Sequence, residues 1–283
     1  MALVLTVLVG CNWIYGNDRV STTQTRNPDA QFFDAPLDAP PMCGSGAPAF
    51  KQELFEVIVP NNCQHFSVSE NGVVVAICQP TSFMTLYTAT VGDSNGLAMM
   101  TSDLPTDGQP VAIRIAPEGD FALVQWFRSF NDDFYHAVRL DPATNVWHDL
   151  GPITAIDPHT TAFISTPTRG PTRHVIAWSL ISGFTELIGD GVDWTAQPSY
   201  ISAGFSSINN AFGLTADGLR IVAIAAEGGG IPSARYGSRT DMSQPFMTST
   251  PLAEPASILE PYLTEDCGKF FFFGLDRVLY VKQ

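Results

Sequence analysis

The feature that most restricts the fold is a hairpin that keeps returning. Five segments share the order apolar strand, tight turn, apolar strand. They are HFSVSENGVVVAIC (65–78), AIRIAPEGDFALVQW (112–126), ITAIDPHTTAFIST (153–166), NAFGLTADGLRIVAIA (210–225) and EPYLTEDCGKFFFFG (260–274). β-Branched and aromatic residues fill the runs, while Gly, Asn, Asp or Pro fill the turns, a division of labour that specifies strands and not helices. The turns centre near Asn71, Glu118, Pro158, Asp217 and Asp266, with separations of 47, 40, 59 and 49 residues. A period in the forties with room for four strands per unit marks propeller blades.

The second half of each unit repeats as well. FYHAVRLDPATNVWHDLG (134–151) and RHVIAWSLISGFTELIG (173–189) align as strand, turn, strand, and SARYGSRTDMSQPF (233–246) takes the same place one unit later. Each unit therefore reads as a four-stranded antiparallel sheet. Blades packed on both sides need inner strands that are apolar on both faces, which accounts for FFFF at 270–273. The last unit ends after three strands, at 259–264, 269–274 and 277–283. An open edge there would recruit other chains. FKQELFEVIV (50–59) alternates, precedes the first complete unit, and is expected to supply the missing outer strand. The expected fold is all-β: a propeller of four-stranded antiparallel blades closed by an N-terminal strand. Five blades fit the turns, and the long gap between 158 and 217 leaves room for a sixth.

The turns SENG, APEGD, TADG and TEDCG are variants of Ser-Pro-Asp-Gly. On these residues the chain resembles the TolB-like (WD-type) β-propeller repeat, over residues 50–283. The resemblance implies an architecture and leaves activity open, because propellers host many functions.

Ahead of the repeats the character changes twice. LTVLVG is too short to span a bilayer, which takes roughly 20 apolar residues, and it ends in Gly10 before Cys11. Its length suits the apolar region of a secretory signal, and LVGC resembles the lipobox of bacterial lipoproteins. That resemblance implies cleavage before Cys11, a diacylglyceryl group on its sulfur, palmitate-type acylation and a membrane anchor. The run lacks the preceding Lys or Arg of such signals. Asn12 after the cysteine implies an outer-membrane address, facing the periplasm or the cell surface. Residues 12–49 are rich in Pro, Asp, Ala and Gly, with DAPLDAP nearly repeating itself. Such a stretch is an extended tether. The domains expected are thus 1–11 signal segment, 12–49 tether and 50–283 propeller.

The formal net charge is −14, spread along the chain, so phosphate backbones are repelled and nucleic acid is excluded as a partner. With Cys11 carrying lipid, Cys43, Cys63, Cys78 and Cys267 remain, an even number that suits an oxidising compartment. Cys63 and Cys78 are equidistant from a turn between Glu70 and Asn71 and should face each other across the ladder, within disulfide reach. Cys267 lies at the first turn of the last unit, where the closing strand enters, and Cys43 shortly precedes that strand. The second expected bridge is Cys43–Cys267.

No HExxH, Walker A or EF-hand spacing occurs, and no catalytic residue, metal or cofactor is assigned. His136 and His148 read as residues of successive outer strands. Carboxylates beside aromatics are the remaining raw material: Asp132 and Asp133 near Trp126, in the loop between the second and third strands, and Asp190 and Asp193 beside Trp194. Such pairs can stack and hydrogen-bond sugars, and two carboxylates are what a glycosidase needs. Asp in turns also serves the local backbone. Arg235 and Arg239 follow a triple glycine and are expected at the surface. The leading reading is a lipid-anchored extracytoplasmic binding module for a protein or cell-envelope partner, with a protein or glycan held at the propeller mouth. A carbohydrate-active enzyme using funnel carboxylates and a structural surface lipoprotein without a specific ligand are the alternatives. Clustering of the two acid pairs at one mouth would favour the enzyme.

Overall fold

The computed structural model describes residues 47–49, 53–58 and 62–282, apart from 81–82, 92–95, 130–131, 158–160, 180–182, 198–204, 206, 227–232, 247–248, 253–258 and 275–277. The signal segment and residues 12–46 of the tether, with Cys11 and Cys43, lie outside the described residues.

β1 (Glu53–Ile58) opens the described fold. The first blade follows as β2 (Cys63–Val68), β3 (Val73–Cys78), β4 (Thr85–Thr90) and β5 (Ala98–Met99). β6 (Thr101–Ser102) leads to the second blade, β7 (Gln109–Ile115), β8 (Phe121–Ser129), β9 (Asp132–Asp141) and β10 (Val146–Pro152). The third is β11 (Thr161–Ile164), β12 (Arg173–Ser179), β13 (Gly183–Gly189) and β14 (Trp194–Gln197). The fourth is β15 (Ser207–Leu214), β16 (Arg220–Ala226), β17 (Ser233–Ser238) and β18 (Thr250–Pro251). The last is β19 (Leu259–Leu263), β20 (Phe270–Phe273) and β21 (Val278–Lys282), with β1 as its fourth strand. Five four-stranded antiparallel blades result, a five-bladed propeller. β6 adds a short parallel pairing to β10, so the chain leaving the first blade straps the edge of the second.

Closure comes from the two ends of the domain. β1 runs antiparallel to β21 in the register Glu53↔Lys282, Leu54↔Val281, Phe55↔Tyr280, Val57↔Leu279 and Ile58↔Val278. The outer strand thus comes from the segment the alternation picked out.

The core is divided among the blade interfaces, one apolar cluster to each. Phe271, Phe273, Leu279 and Val281 of the last blade meet Phe66, Val68, Val74 and Ala76 of the first. On the opposite face of β20, Phe270 and Phe272 meet Val222, Ile224 and Tyr236 of the fourth blade. All four phenylalanines are 3% exposed or less. A strand buried on both faces cannot alternate in polarity, so FFFF is the pattern expected of it. The interfaces between the first and second, second and third, and third and fourth blades are built the same way.

The third blade departs from the sequence reading. Residues 153–166 are not its inner hairpin: β11 ends at Ile164 and the chain reverses between Thr168 and His174, whose backbones bond each other (Thr168 N to His174 O, 3.0 Å). Consequently 173–189 forms the second and third strands of the blade, one strand earlier than the alignment with 134–151 implied. With the turn placed at Gly170, the centres fall at residues 71, 118, 170, 217 and 266, separated by 47, 52, 47 and 49 residues. The apparent room for a sixth blade came from a turn placed too early.

The first strands of the blades line the axis. Each carries a bulge, between Gln64 and Phe66, Pro110 and Ala112, Thr161 and Phe163, Ile208 and Phe212, and Leu259 and Tyr262. Cys63 and Cys78 are directly opposed and joined by a disulfide. Cys267 is disulfide-bonded as well, and Ala47 packs against the apolar cluster that contains it.

Candidate functional site at the hairpin-turn mouth

Because successive strands run antiparallel, first-to-second and third-to-fourth turns gather at one end of the ring and second-to-third connections at the other. The inner turns share one construction. In the fourth blade the Thr215 hydroxyl donates to Asp217 Oδ1 (2.5 Å) and accepts from Arg220 N (3.0 Å), while Leu219 N also donates to that carboxylate oxygen (3.0 Å). Thr264, Asp266, Gly268 and Lys269 repeat this in the last blade, and in the first the Ser69 hydroxyl accepts from Val73 N (2.8 Å) and bonds Asn71. A left-handed residue completes the turns of four blades: Gly72, Gly119, Gly218 and, where glycine is absent, Cys267 at φ 55°. The third blade keeps only the first element, Thr168 Oγ1 accepting from His174 N (2.8 Å). Its longer turn carries Arg169 instead of a carboxylate.

These turns hold one another around the axis. Glu70 N donates to Pro117 O (3.0 Å) and Asn71 Nδ2 to Glu118 O (2.6 Å), joining the first blade to the second. Glu118 accepts from Gly170 N (2.7 Å) and Arg173 Nη1 (3.1 Å), joining the second to the third. Burial works against ionisation of Glu118, but those donors outweigh it and hold its carboxyl below the usual range. Arg169 N donates to Ala216 O (2.8 Å), joining the third to the fourth. Glu265 N donates to Glu70 Oε1 (2.5 Å) across the closure seam. The third blade stands opposite that seam, and Arg169 crosses the axis to it, pairing with Glu70 and with Glu265 Oε2 (2.7 Å).

Between described residues, no hydrogen bond joins the fourth turn to the fifth. A bowl of about 630 Å³ opens there, lined by Glu70, Arg169, Asp217, Arg220, Thr264, Glu265, Asp266 and Lys269. Asp217 and Arg220 pair within the wall (2.8 Å). Burial pushes the Glu70 carboxyl above its ordinary value, and the neighbouring Glu265 and Asp266 add to the shift, against the Glu265 N–H and Arg169. Near these charges lies Tyr262, 1% exposed, whose hydroxyl has no hydrogen-bond partner among the described residues. Burial raises its pKa strongly, and its charged surroundings are Glu70, Arg169, Glu118 and Glu265.

Inside the channel Arg114 Nη1 meets Glu260 Oε2 (2.8 Å) and Arg114 Nε donates to Ile164 O (3.0 Å). His65 Nδ1 lies 3.8 Å from Glu260 Oε1. His65 and Glu260 hold the same place in adjacent blades, four residues before Ser69 and Thr264, and both are left-handed, at φ 54° and 50°. Bulges of this kind re-aim side chains, and here they turn two polar groups toward each other.

The residues singled out in sequence do not assemble there. Asp132 and Asp133 open β9, at the end opposite the inner turns and not in a loop; their side chains lie outside the described residues. Asp190 and Asp193 are exposed in the third-to-fourth turn of the third blade, at the inner-turn end. Strand alternation thus sends the two acid pairs to opposite ends of the ring. Trp126 is 6% exposed in the interface of the first two blades, its indole N–H without a partner among the described residues. Trp194 folds over Gly189 and donates to Gly191 O (3.1 Å), serving its own turn. Arg235 and Arg239, expected at the surface, are each 6% exposed. Arg239 is drawn inward by Glu186 (3.0 Å) and Gly218 O (2.8 Å). His136 and His148 lie on β9 and β10 as read, paired with Asp149 and Asp103. No group of three or more metal-ligating side chains occurs among the described residues.

Sequence reasoning missed the bowl because it weighed each turn as a local device. The signal was the repeated offset itself: charged residues one place after Ser69, Thr168 and Thr264 are brought to one axis by the repeat.

No family model matches the chain, and no curated protein matches it. Solved structures do. TolB from Acinetobacter baumannii is similar at 13% identity and a TM-score of 0.45, over 78% of this chain and 54% of that one. A glycosyl hydrolase from Bacteroides ovatus is similar at 12% and 0.44, over 81% and 84%. A gluconolactonase from Xanthomonas campestris is similar at 11% and 0.48, over 78% and 71%. The chain spans about half the length of the first of these. The likeness is one of fold.

Proposed function

We propose that this chain is a lipid-anchored, outer-membrane binding propeller that presents its inner-turn mouth to a protein partner of the cell envelope. The observation that carries the reading is the bowl between the fourth and fifth turns, a concave, charged opening in a ring of turns otherwise tied to one another. A disulfide between adjacent strands accords with an oxidising compartment. The LVGC resemblance supports Cys11 as the anchor and residues 12–49 as the spacer. Carboxylate pairs sent to opposite ends of the ring weigh against a shared glycosidase site, whose two acids stand within roughly 10 Å of each other.

Two measurements test this. Mass spectrometry of protein from the native host should find diacylglyceryl on Cys11, and an unmodified sulfur removes the anchor. Cross-linked envelope complexes purified with tagged full chain should be lost on Lys269→Glu, in the bowl, and kept on Asp190→Lys, outside it. Equal recovery with both variants refutes the mouth as the binding face.

A further inference from the structure

We infer that the ring is clasped a second time, by a disulfide between Cys267 and Cys43, and that this bond roots the tether at the mouth that carries the bowl. Cys267 is disulfide-bonded. Cys63 and Cys78 take each other, so its partner is Cys43 or Cys11. The path of the chain selects Cys43. In the last blade Glu53 of β1 pairs with Lys282, and Lys282 pairs with Phe270, the residue that follows the inner turn. β1 therefore starts at the inner-turn end, and the chain ahead of it arrives there, two strand spacings (about 10 Å) from the turn. Ala47 packs against the apolar cluster of Val222, Leu252, Phe270 and Cys267 itself, on the side of the fourth blade. Cys43 stands four residues from Ala47, a reach of at most about 14 Å. Bringing Cys11 to the same place closes a far longer loop, at a higher entropic cost.

The turn supplies an independent reason. Gly72, Gly119 and Gly218 donate to Ser69 O (3.1 Å), Ala116 O (3.0 Å) and Thr215 O (2.8 Å), each with a left-handed backbone. Cys267 donates to Thr264 O (2.9 Å) at φ 55°, so a cysteine fills the glycine position of the fifth turn. A residue with a Cβ is strained in that region and persists where its surroundings hold it. What cysteine offers there and glycine lacks is its sulfur, 5% exposed as a residue and set in the cluster that Ala47 joins. In the bond, Cys43 Sγ joins Cys267 Sγ as the two thiols give up two protons and two electrons. A disulfide-bearing oxidant of the exported compartment takes up both by thiol–disulfide exchange and leaves as a dithiol. Glu265, Asp266 and Lys269 of the same turn line the bowl, so residues 12–42 leave the ring beside it. Tether and partner then share one end of the ring, a step that rests on the mouth being the binding face.

The test is tryptic mapping of full chain purified unreduced from the native host with its free thiols blocked. Fragment 27–51 should be joined to fragment 240–269, in a protein that is monomeric on size exclusion. Cys267 recovered as a blocked thiol, joined to the fragment that carries Cys11, or joined to a second copy overturns the inference. Two variants separate the clasp from the turn. Cys43→Ser and Cys267→Gly both lose the bond, and each should lower Tm by roughly 5–15 °C. Cys267→Gly should be the milder, because its turn regains glycine. Without a clasp, Cys267→Gly would only relieve strain, so a Tm above wild type also overturns the inference. Should either variant fail to fold, the map of the wild-type chain decides alone. A missing link while Lys269→Glu still abolishes envelope complexes removes the clasp and leaves the binding face standing. A link present while Lys269→Glu changes nothing keeps the clasp and removes the binding face.

Discussion

Glu186→Ala should be among the most damaging single substitutions in the ring. Glu186 lies on β13 of the third blade, and Arg239 follows β17 of the fourth. Their side chains are 3% and 0% exposed, joined at 3.0 and 3.2 Å, with His174 Nδ1 2.9 Å from the same carboxylate. Removing one partner of a buried pair costs about 3–5 kcal/mol, because the other charge stays buried without compensation. Arg239 would keep its bond to Gly218 O (2.8 Å) and its place over the Phe246 ring (4.6 Å), so the lower figure, about 3 kcal/mol, is expected. In a domain of this size that is a fall in Tm of roughly 6–12 °C, read by circular dichroism at pH 7. Glu186→Leu combined with Arg239→Met should recover most of it, since an apolar pair leaves no stranded charge. The pH dependence has a definite sign. Burial opposes ionisation of Glu186, but His174 and Arg239 outweigh it, and the carboxyl sits below its ordinary value. An unfolded glutamate titrates at about 4.3. The stabilisation is therefore complete above that pH and is lost as pH falls through the lower folded value. The gap between wild type and Glu186→Ala should close in acid. A Tm change under about 2 °C at pH 7, or a gap that persists unchanged into strong acid, would refute the argument.

Three further outcomes follow from closure and packing. Deleting residues 50–59 removes every register pair between β1 and β21 and leaves β21 as a bare edge; no soluble folded protein should be recovered, and a stable monomeric truncation on size exclusion would refute closure. Gly213→Ala should cost about 1–3 kcal/mol in chemical denaturation, because the new Cβ would lie 2.4 Å from the Pro261 carbonyl oxygen on the neighbouring first strand; unchanged stability would mean that the seam between the fourth and fifth blades yields. Replacing Cys63 and Cys78 by alanine opens a loop of separation 15 and should cost about 3 kcal/mol; a denaturation midpoint matching the oxidised protein would show that the ladder alone holds β2.

What the sequence made legible depended on how local the evidence was. Four turns carried their own chemistry, a hydroxyl or small residue, a carboxylate or amide, and a residue able to go left-handed, and they were placed within a residue or two. The third turn has only Thr168 and Gly170 of that set, in a loop one residue longer than in the fourth and fifth blades. The apolar residues around Pro158 therefore imitated a hairpin better than the true one did, and everything aligned to it slipped by one strand. The disulfide was reached through an offset that cancelled. The inner turn of the first blade centres on Asn71, since Val68 opposes Val74 and Phe66 opposes Ala76. On that register Cys63 would face Gln79. The bulge at His65 takes up the difference and brings Cys63 opposite Cys78. A pattern of period two cannot reveal such a bulge, because the inserted residue looks like any other polar position in a strand. The same limit hid the channel. His65 and Glu260 meet only because both their strands are bulged at the same height, and Arg169 reaches Glu70 and Glu265 only because a ring of five sets the third blade opposite the seam. Contacts made by symmetry across an axis leave no mark on spacing along the chain, so local reading can find the blades while the mouth they enclose has to be built from them.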